Sequence, residues 1–80
     1  MSPGQRLEAV DKRCPMLIRV ANIVSINPHG LVTVNYDGWA DKYNICVEAD
    51  SPDLFPVGYC QATGQNLQPP PLYVYWPVTS

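Results

Sequence analysis

Tyr36, Trp39 and Tyr43 fall within eight residues and are interleaved with Asp37 and Asp41. Aromatic faces carry negative quadrupole density, so rings that wall a cavity attract methylated ammonium groups, by about 0.5–2 kcal/mol per good contact. Spacings of three and four bring such rings to one side of a helical turn or a tight loop. The same spacings suit rings that simply pack a core, and spacing alone favours the core. Placement between two strand candidates, beside carboxylates, adds weight to a cavity without deciding between the two. Catalysis finds no comparable constellation. The single histidine, His29, sits in the turn Asn27-Pro28-His29-Gly30, an exposed tip and not the base of a triad. Cys14, Cys46 and Cys60 have no activating base marked beside them. No two of them lie two to four residues apart, as zinc ligands do. An odd number fits reduced thiols better than a disulfide framework, and there is no glycine-rich phosphate loop. The expectation is a protein that is not an enzyme and needs no metal or cofactor.

A small scaffold must position the rings. The chain has 80 residues, 46% hydrophobic and 15% charged, a balance that supports one thin-cored domain and argues against disorder. Nine prolines and five glycines leave little room for long helices. The net charge of −2 lacks the basic surplus of a phosphate-gripping domain, so direct nucleic-acid binding is not expected and a cationic partner suits better. No apolar run reaches the roughly 20 residues of a membrane span, and no leader pattern opens the chain.

Leu17 to Ile26 reads as a strand with Ile18, Val20, Val24 and Ile26 on one face and Arg19 and Ser25 on the other. Asn22 interrupts the apolar face. After the Asn27–Gly30 turn, Leu31 to Tyr36 alternates again, predicting an antiparallel hairpin. Asp37-Gly38 is a second turn, Tyr43 to Val47 a third strand, and Asp50-Ser51-Pro52-Asp53 a turn or helix start. A single helical turn follows Pro56-Val57-Gly58-Tyr59-Cys60. Beyond Pro69-Pro70-Pro71 an aromatic tail, Leu72 to Trp76, is expected to be extended, packing on the barrel or a neighbouring repeat, or offering a proline-rich peptide to a partner's groove. These elements predict an all-β fold, a small five-stranded SH3-like or Tudor-like barrel with short helical turns.

In order along the chain stand Gly4-Gln5-Arg6-Leu7-Glu8-Ala9-Val10-Asp11, Asp37-Gly38-Trp39 with Tyr43, Asp50-Ser51-Pro52-Asp53, Pro56-Val57-Gly58-Tyr59-Cys60 and Leu67-Gln68-Pro69-Pro70. This ordered set resembles the malignant-brain-tumour (MBT) repeat over most of the chain. The resemblance implies a Tudor-like barrel at residues 4–71, with 1–3 as disordered chain or linker and 72–80 as an extension. It also implies one repeat of a longer nuclear protein, adjoining other MBT repeats; such repeats carry an N-terminal arm packed on a neighbour, and a departure expected here is that almost no such arm stands before Gly4. The implied function is a chromatin-associated reader of mono- and dimethyl-lysine on histone tails, in transcriptional repression. Carried over residue by residue, Asp11 is the pocket acid, and Tyr36, Trp39 and Tyr43 are its three rings. Cys14 stands where the family has an asparagine. Asn44 and Cys46 also depart from the usual aspartate and large aromatic, and Tyr59 replaces a tryptophan. These departures support a second reading, a repeat whose pocket is idle and which serves as a structural or interaction module.

A carboxylate at Asp11 accepts a hydrogen bond only from an ammonium that still carries N–H. Monomethyl- and dimethyl-lysine do; trimethyl-lysine does not. That charge-assisted bond is worth roughly 1.5–3 kcal/mol, so a narrow pocket favours the lower methylation states. Unmethylated lysine keeps its hydrogens but is costlier to desolvate and has no methyl groups to fill the walls. A thiol at Cys14 is a poor substitute for an amide, which predicts weaker binding than in an asparagine-bearing repeat. Asp37 and Asp41 are expected to be solvated charges at the pocket rim.

Overall fold

A long strand, β2 (Cys14–Ile26), forms the spine of the computed structural model, which describes residues 1–71. It pairs antiparallel with β1 (Arg6–Asp11) on one side and β3 (Leu31–Tyr36) on the other. β4 (Ile45–Glu48) then pairs with β3, and β5 (Leu54–Phe55) with β1. The path β4-β3-β2-β1-β5 has five strands, the number expected, and curls into a half-barrel. The two-residue β6 (Leu67–Gln68) adds a sixth, parallel to β2. Among the described residues, helix is confined to a 3-10 turn over Asp41–Tyr43 and the short α1 (Tyr59–Thr63). No helix among the described residues is long and apolar enough to cross a membrane. The tail over residues 72–80 lies outside the described residues.

The β2–β3 hairpin forms at the Asn27–Gly30 turn, where the Asn27 side chain accepts from the His29 and Leu31 amides, each at 2.9 Å. The face assignment of β2 differs from the alternation. Ile23 pairs with Val34 and Ser25 with Thr33, so Val24 is an extra residue at a bulge. A bulge shifts every later side chain to the opposite face. Ahead of the bulge the odd-numbered residues Ala21 and Ile23 face the core, opposite to the face that the alternation assigns, and pack with Leu7, Ala9, Val32, Val34 and Tyr36, while Val24 at the bulge is 46% exposed. Tyr43 and Asn44 belong to the 3-10 turn and its end, and the third segment becomes a strand only at Ile45.

The alternation pattern does not reveal β1 as a strand, because two of its buried residues are acids. Glu8 is 3% exposed. Its Oε1 accepts from the Cys60 amide at 2.8 Å and its Oε2 from the Gly58 amide at 2.7 Å. These are free N–H groups at the start of α1, whose own N-cap, Gly58, has φ +96° and offers no side chain. A carboxylate from β1 thus caps the helix across 50 residues of sequence. Phe55 and Tyr59 stack beside it with ring centroids 3.9 Å apart.

Candidate binding site

Register sets the site. Leu7, Ala9 and Asp11 alternate onto the core face of β1, and Ala9 pairs with Arg19 while Leu7 pairs with Ala21. Ala21 in turn pairs with Tyr36. Asp11, Arg19 and Tyr36 therefore converge at one end of the core face, as diagonal neighbours whose long side chains can meet. Beyond Val10 the β1–β2 ladder breaks and Asp11 faces Cys14 across a two-residue turn. Asp11 Oδ1 accepts from the Arg13 amide at 2.8 Å, the Asx arrangement that tightens such turns.

The rings arrive by local geometry. The Trp39 amide bonds the Tyr36 carbonyl at 2.9 Å, closing a β-turn in which Gly38 holds φ +82°. Side chains with a Cβ rarely adopt that conformation, which is why Asp-Gly precedes Trp here. The 3-10 turn follows at once and brings Tyr43 edge-on to Trp39, with centroids 5.4 Å apart at 82°. Tyr36 is buried in the core. Its hydroxyl donates to the Val10 carbonyl at 2.7 Å and accepts from the Lys12 amide at 3.3 Å. Burial pushes the phenol pKa above its usual value, so it stays neutral.

Asp11, Cys14, Tyr36, Trp39 and Tyr43, the five residues singled out from the sequence, all line one cavity of about 310 Å³, and Arg13 and Arg19 line it too. Asp11 is 7% exposed. Burial alone would raise its pKa. The Arg19 side chain, followed by the Arg13 and Cys14 amides, outweighs burial and holds the carboxyl below its ordinary 3.8. The acid is therefore ionised at neutral pH. Cys14 is an exposed thiol at the same wall. Trp39 Nε1 is buried without a hydrogen-bond partner among the described residues.

Asp37 is not a rim charge. It is 6% exposed and lies outside this cavity. It accepts from Asn22 Nδ2 at 2.7 Å and is salt-bridged by Arg6. Asn22 also donates to Asn35 Oδ1 at 3.1 Å, and Asn35 donates to the Trp39 carbonyl at 3.1 Å and to Asn44 Oδ1 at 2.8 Å. The residue that interrupts the apolar pattern of β2 thus anchors a chain of amides that clamps the Trp39 loop. Asn44 has a structural task in that chain, and Cys46 is exposed on β4, outside the cavity. Cys60 is buried beside Glu8. Burial and that carboxylate push its thiol up to about 11, which makes it a poor nucleophile. No group of three or more His, Cys, Asp or Glu among the described residues is placed to hold a metal ion.

Arg19 and Arg13 join the site only in three dimensions. Alternation sets Arg19 on the polar face of its strand, and the pairing of Ala9 with Arg19 is what puts it on the same face as Asp11.

The mbt repeat family matches residues 5–74. Human lethal(3)malignant brain tumor-like protein 4 is 53% identical over 68 residues, covering 85% of this chain and 11% of that protein. MBT domain-containing protein 1 of Xenopus laevis is 51% identical over 67 residues, covering 84% of this chain and again 11% of that protein. The chain thus spans about a tenth of these relatives. Among solved structures, the four MBT repeats of Drosophila melanogaster Sfmbt in complex with the peptide RHR(me)KVLR superpose with a TM-score of 0.86. Identity there is 34%, over 89% of this chain and 16% of that one. With a family match running through nearly the whole sequence and a half-barrel of the same shape, the chain belongs to the MBT repeat family.

Proposed function

We propose that this repeat, residues 4–71 with 1–3 as a linker and 72–80 as an extension, reads mono- and dimethyl-lysine on histone tails. The proposed setting is a longer nuclear, chromatin-associated protein acting in transcriptional repression, in which other MBT repeats adjoin this one. Tyr36, Trp39 and Tyr43 are the walls, Asp11 is the ion partner, and Cys14 is a weak contact at the mouth. Recognition is binding alone, without a catalysed step. The observation that carries the reading is an ionised, nearly buried carboxylate opening onto the same cavity as three rings. It is supported by the methylated peptide in complex with the Sfmbt repeats, which share this fold.

The test is a set of peptides of one sequence bearing un-, mono-, di- and trimethyl-lysine, titrated by calorimetry. Mono- and dimethyl forms are expected to saturate, with the trimethyl form about tenfold or more weaker, since it forfeits a bond worth roughly 1.5–3 kcal/mol. Equal or tighter binding of the trimethyl form would refute the role of the acid. Cys14→Asn restores an amide at the mouth and is expected to tighten dimethyl-lysine binding about two- to tenfold, the value of one ordinary hydrogen bond. Unchanged affinity in that variant would remove Cys14 from the site.

One observation favours the idle-pocket reading. Arg19 Nε already donates to Asp11 Oδ2 at 2.6 Å.

A further inference from the structure

Three of the chain's own cations stand at these rings. The Arg13 guanidinium carbon is 4.9 Å from the Tyr43 centroid, and Lys42 Nζ is 5.2 Å from the same ring. The Arg19 guanidinium carbon is 4.9 Å from the Trp39 centroid. Arg19 differs from the other two because it touches both the acid and a ring. Its side chain is only 17% exposed, and its partner Asp11 10%. A methylated ammonium seeking a carboxylate and an indole face seeks the two contacts that Arg19 makes.

We infer that Arg19 is an internal competitor, a resident cation that holds the ammonium's place until a methyl-lysine displaces it. The inference rests on the methyl-lysine reading and deepens it: the pocket is neither idle nor open but self-liganded. Asp11 has lone pairs left after Arg19 and the Arg13 amide are satisfied. A second cation lodged there alongside Arg19 would meet like charge at close range in a poorly solvated site. Displacement avoids that repulsion, because Arg19 is long enough to swing its head into water while its stem stays on the sheet.

Two consequences are measurable. Apparent affinity is reduced by the fraction of molecules in which Arg19 is swung out, so removing the competitor tightens binding. In the wild-type chain one cation replaces another on Asp11, so the number of charge pairs is conserved and affinity depends weakly on salt. Without Arg19, binding creates a pair, and the dependence steepens.

The experiment observes the arginine Nε–H signals of the full wild-type chain by NMR and then compares it with Arg19→Gln. In the free chain the Arg19 Nε–H is expected to exchange slowly with water and to be shifted by the Trp39 ring current. A dimethyl-lysine peptide is expected to abolish both features in step with saturation. Arg19→Gln is expected to bind the same peptide about tenfold tighter, equivalent to about 1.4 kcal/mol, with a steeper loss as salt rises. An Arg19 signal that exchanges freely in the unliganded chain overturns the inference, with no variant required to fold. So does peptide binding that leaves the Arg19 signal protected, or an Arg19→Gln chain that folds and binds no tighter; in both cases methyl-lysine reading survives. Failure of wild-type and folded Arg19→Gln chains alike to bind any methylated peptide overturns the reading itself, and displacement falls with it.

Discussion

Asp11→Asn is expected to weaken dimethyl-lysine binding about 10- to 100-fold while leaving the chain folded. The magnitude follows from the charge-assisted bond that an ammonium N–H makes to a carboxylate, roughly 1.5–3 kcal/mol. Asparagine is the informative replacement because its carbonyl oxygen can still accept from the Arg13 amide, now 2.8 Å from Asp11 Oδ1, and so keeps the turn. What it removes is the negative charge. The variant also frees Arg19 from its partner and thereby relieves competition, so the measured loss is a lower bound on the acid's contribution. Calorimetry on the dimethyl peptide checks it, with the thermal unfolding of the peptide-free variant as the control for folding. An affinity within twofold of wild type would mean that the rings alone hold the ligand. Trimethyl-lysine has no N–H to donate and loses only the attraction of its charge to the carboxylate, so its affinity should fall less than that of dimethyl-lysine.

Glu8→Ala is expected to cost about 3–4 kcal/mol of folding stability. The carboxylate satisfies the Cys60 and Gly58 amides, and Cys60 is 1% exposed. Truncation leaves both donors without their acceptor, the Cys60 amide buried and the Gly58 amide partly so, at roughly 1–3 kcal/mol each. For a domain of this size that is a drop in Tm of about 12–30 °C. Glu8→Gln retains one acceptor oxygen and should lose about half as much. The same bonds set a pH dependence. Burial would raise the Glu8 pKa, but the Cys60 and Gly58 amides outweigh it and hold the group below its ordinary 4.5. Asp11 likewise lies below 3.8. Groups with depressed folded-state values stabilise the fold above their unfolded pKa, and that contribution fades as pH falls through the folded values. Denaturant midpoints should therefore be flat from about pH 7 to 5 and fall below about 4.5. The fall should be shallower in Glu8→Gln. A midpoint that rises on acidification would contradict the roles given to both acids.

What the sequence discloses follows from the range of the forces involved. Trp39 and Tyr43 are legible because their juxtaposition is local: Asp37-Gly38 makes the turn, and one 3-10 turn sets the rings at right angles. The hairpin is legible for the same reason. Asp11 and Cys14 come from resemblance to the family, since nothing in their spacing from the rings announces a shared cavity. Arg19 is hidden because its neighbours are chosen by the pairing of β1 with β2, and a one-residue difference in register would turn it away. Asp37 reads as a solvated rim charge because Arg6 and Asn22, the partners that allow its burial, come from two other strands. Val24 falls on the apolar face of the alternation because alternation cannot reveal a bulge, which depends on the partner strand. Glu8 and Asp11 make β1 look unlike a strand, and both are buried acids with assigned bonds.

The most direct measurement is a set of intermolecular NOEs between a dimethyl-lysine peptide and the full chain, selected for the N-methyl protons. Those methyl groups are expected against the rings of Trp39, Tyr43 and Tyr36, with the Trp39 indole resonance moving in step with saturation. N-methyl contacts to any other part of the surface, with the three rings silent at saturation, would contradict a cage built from these side chains.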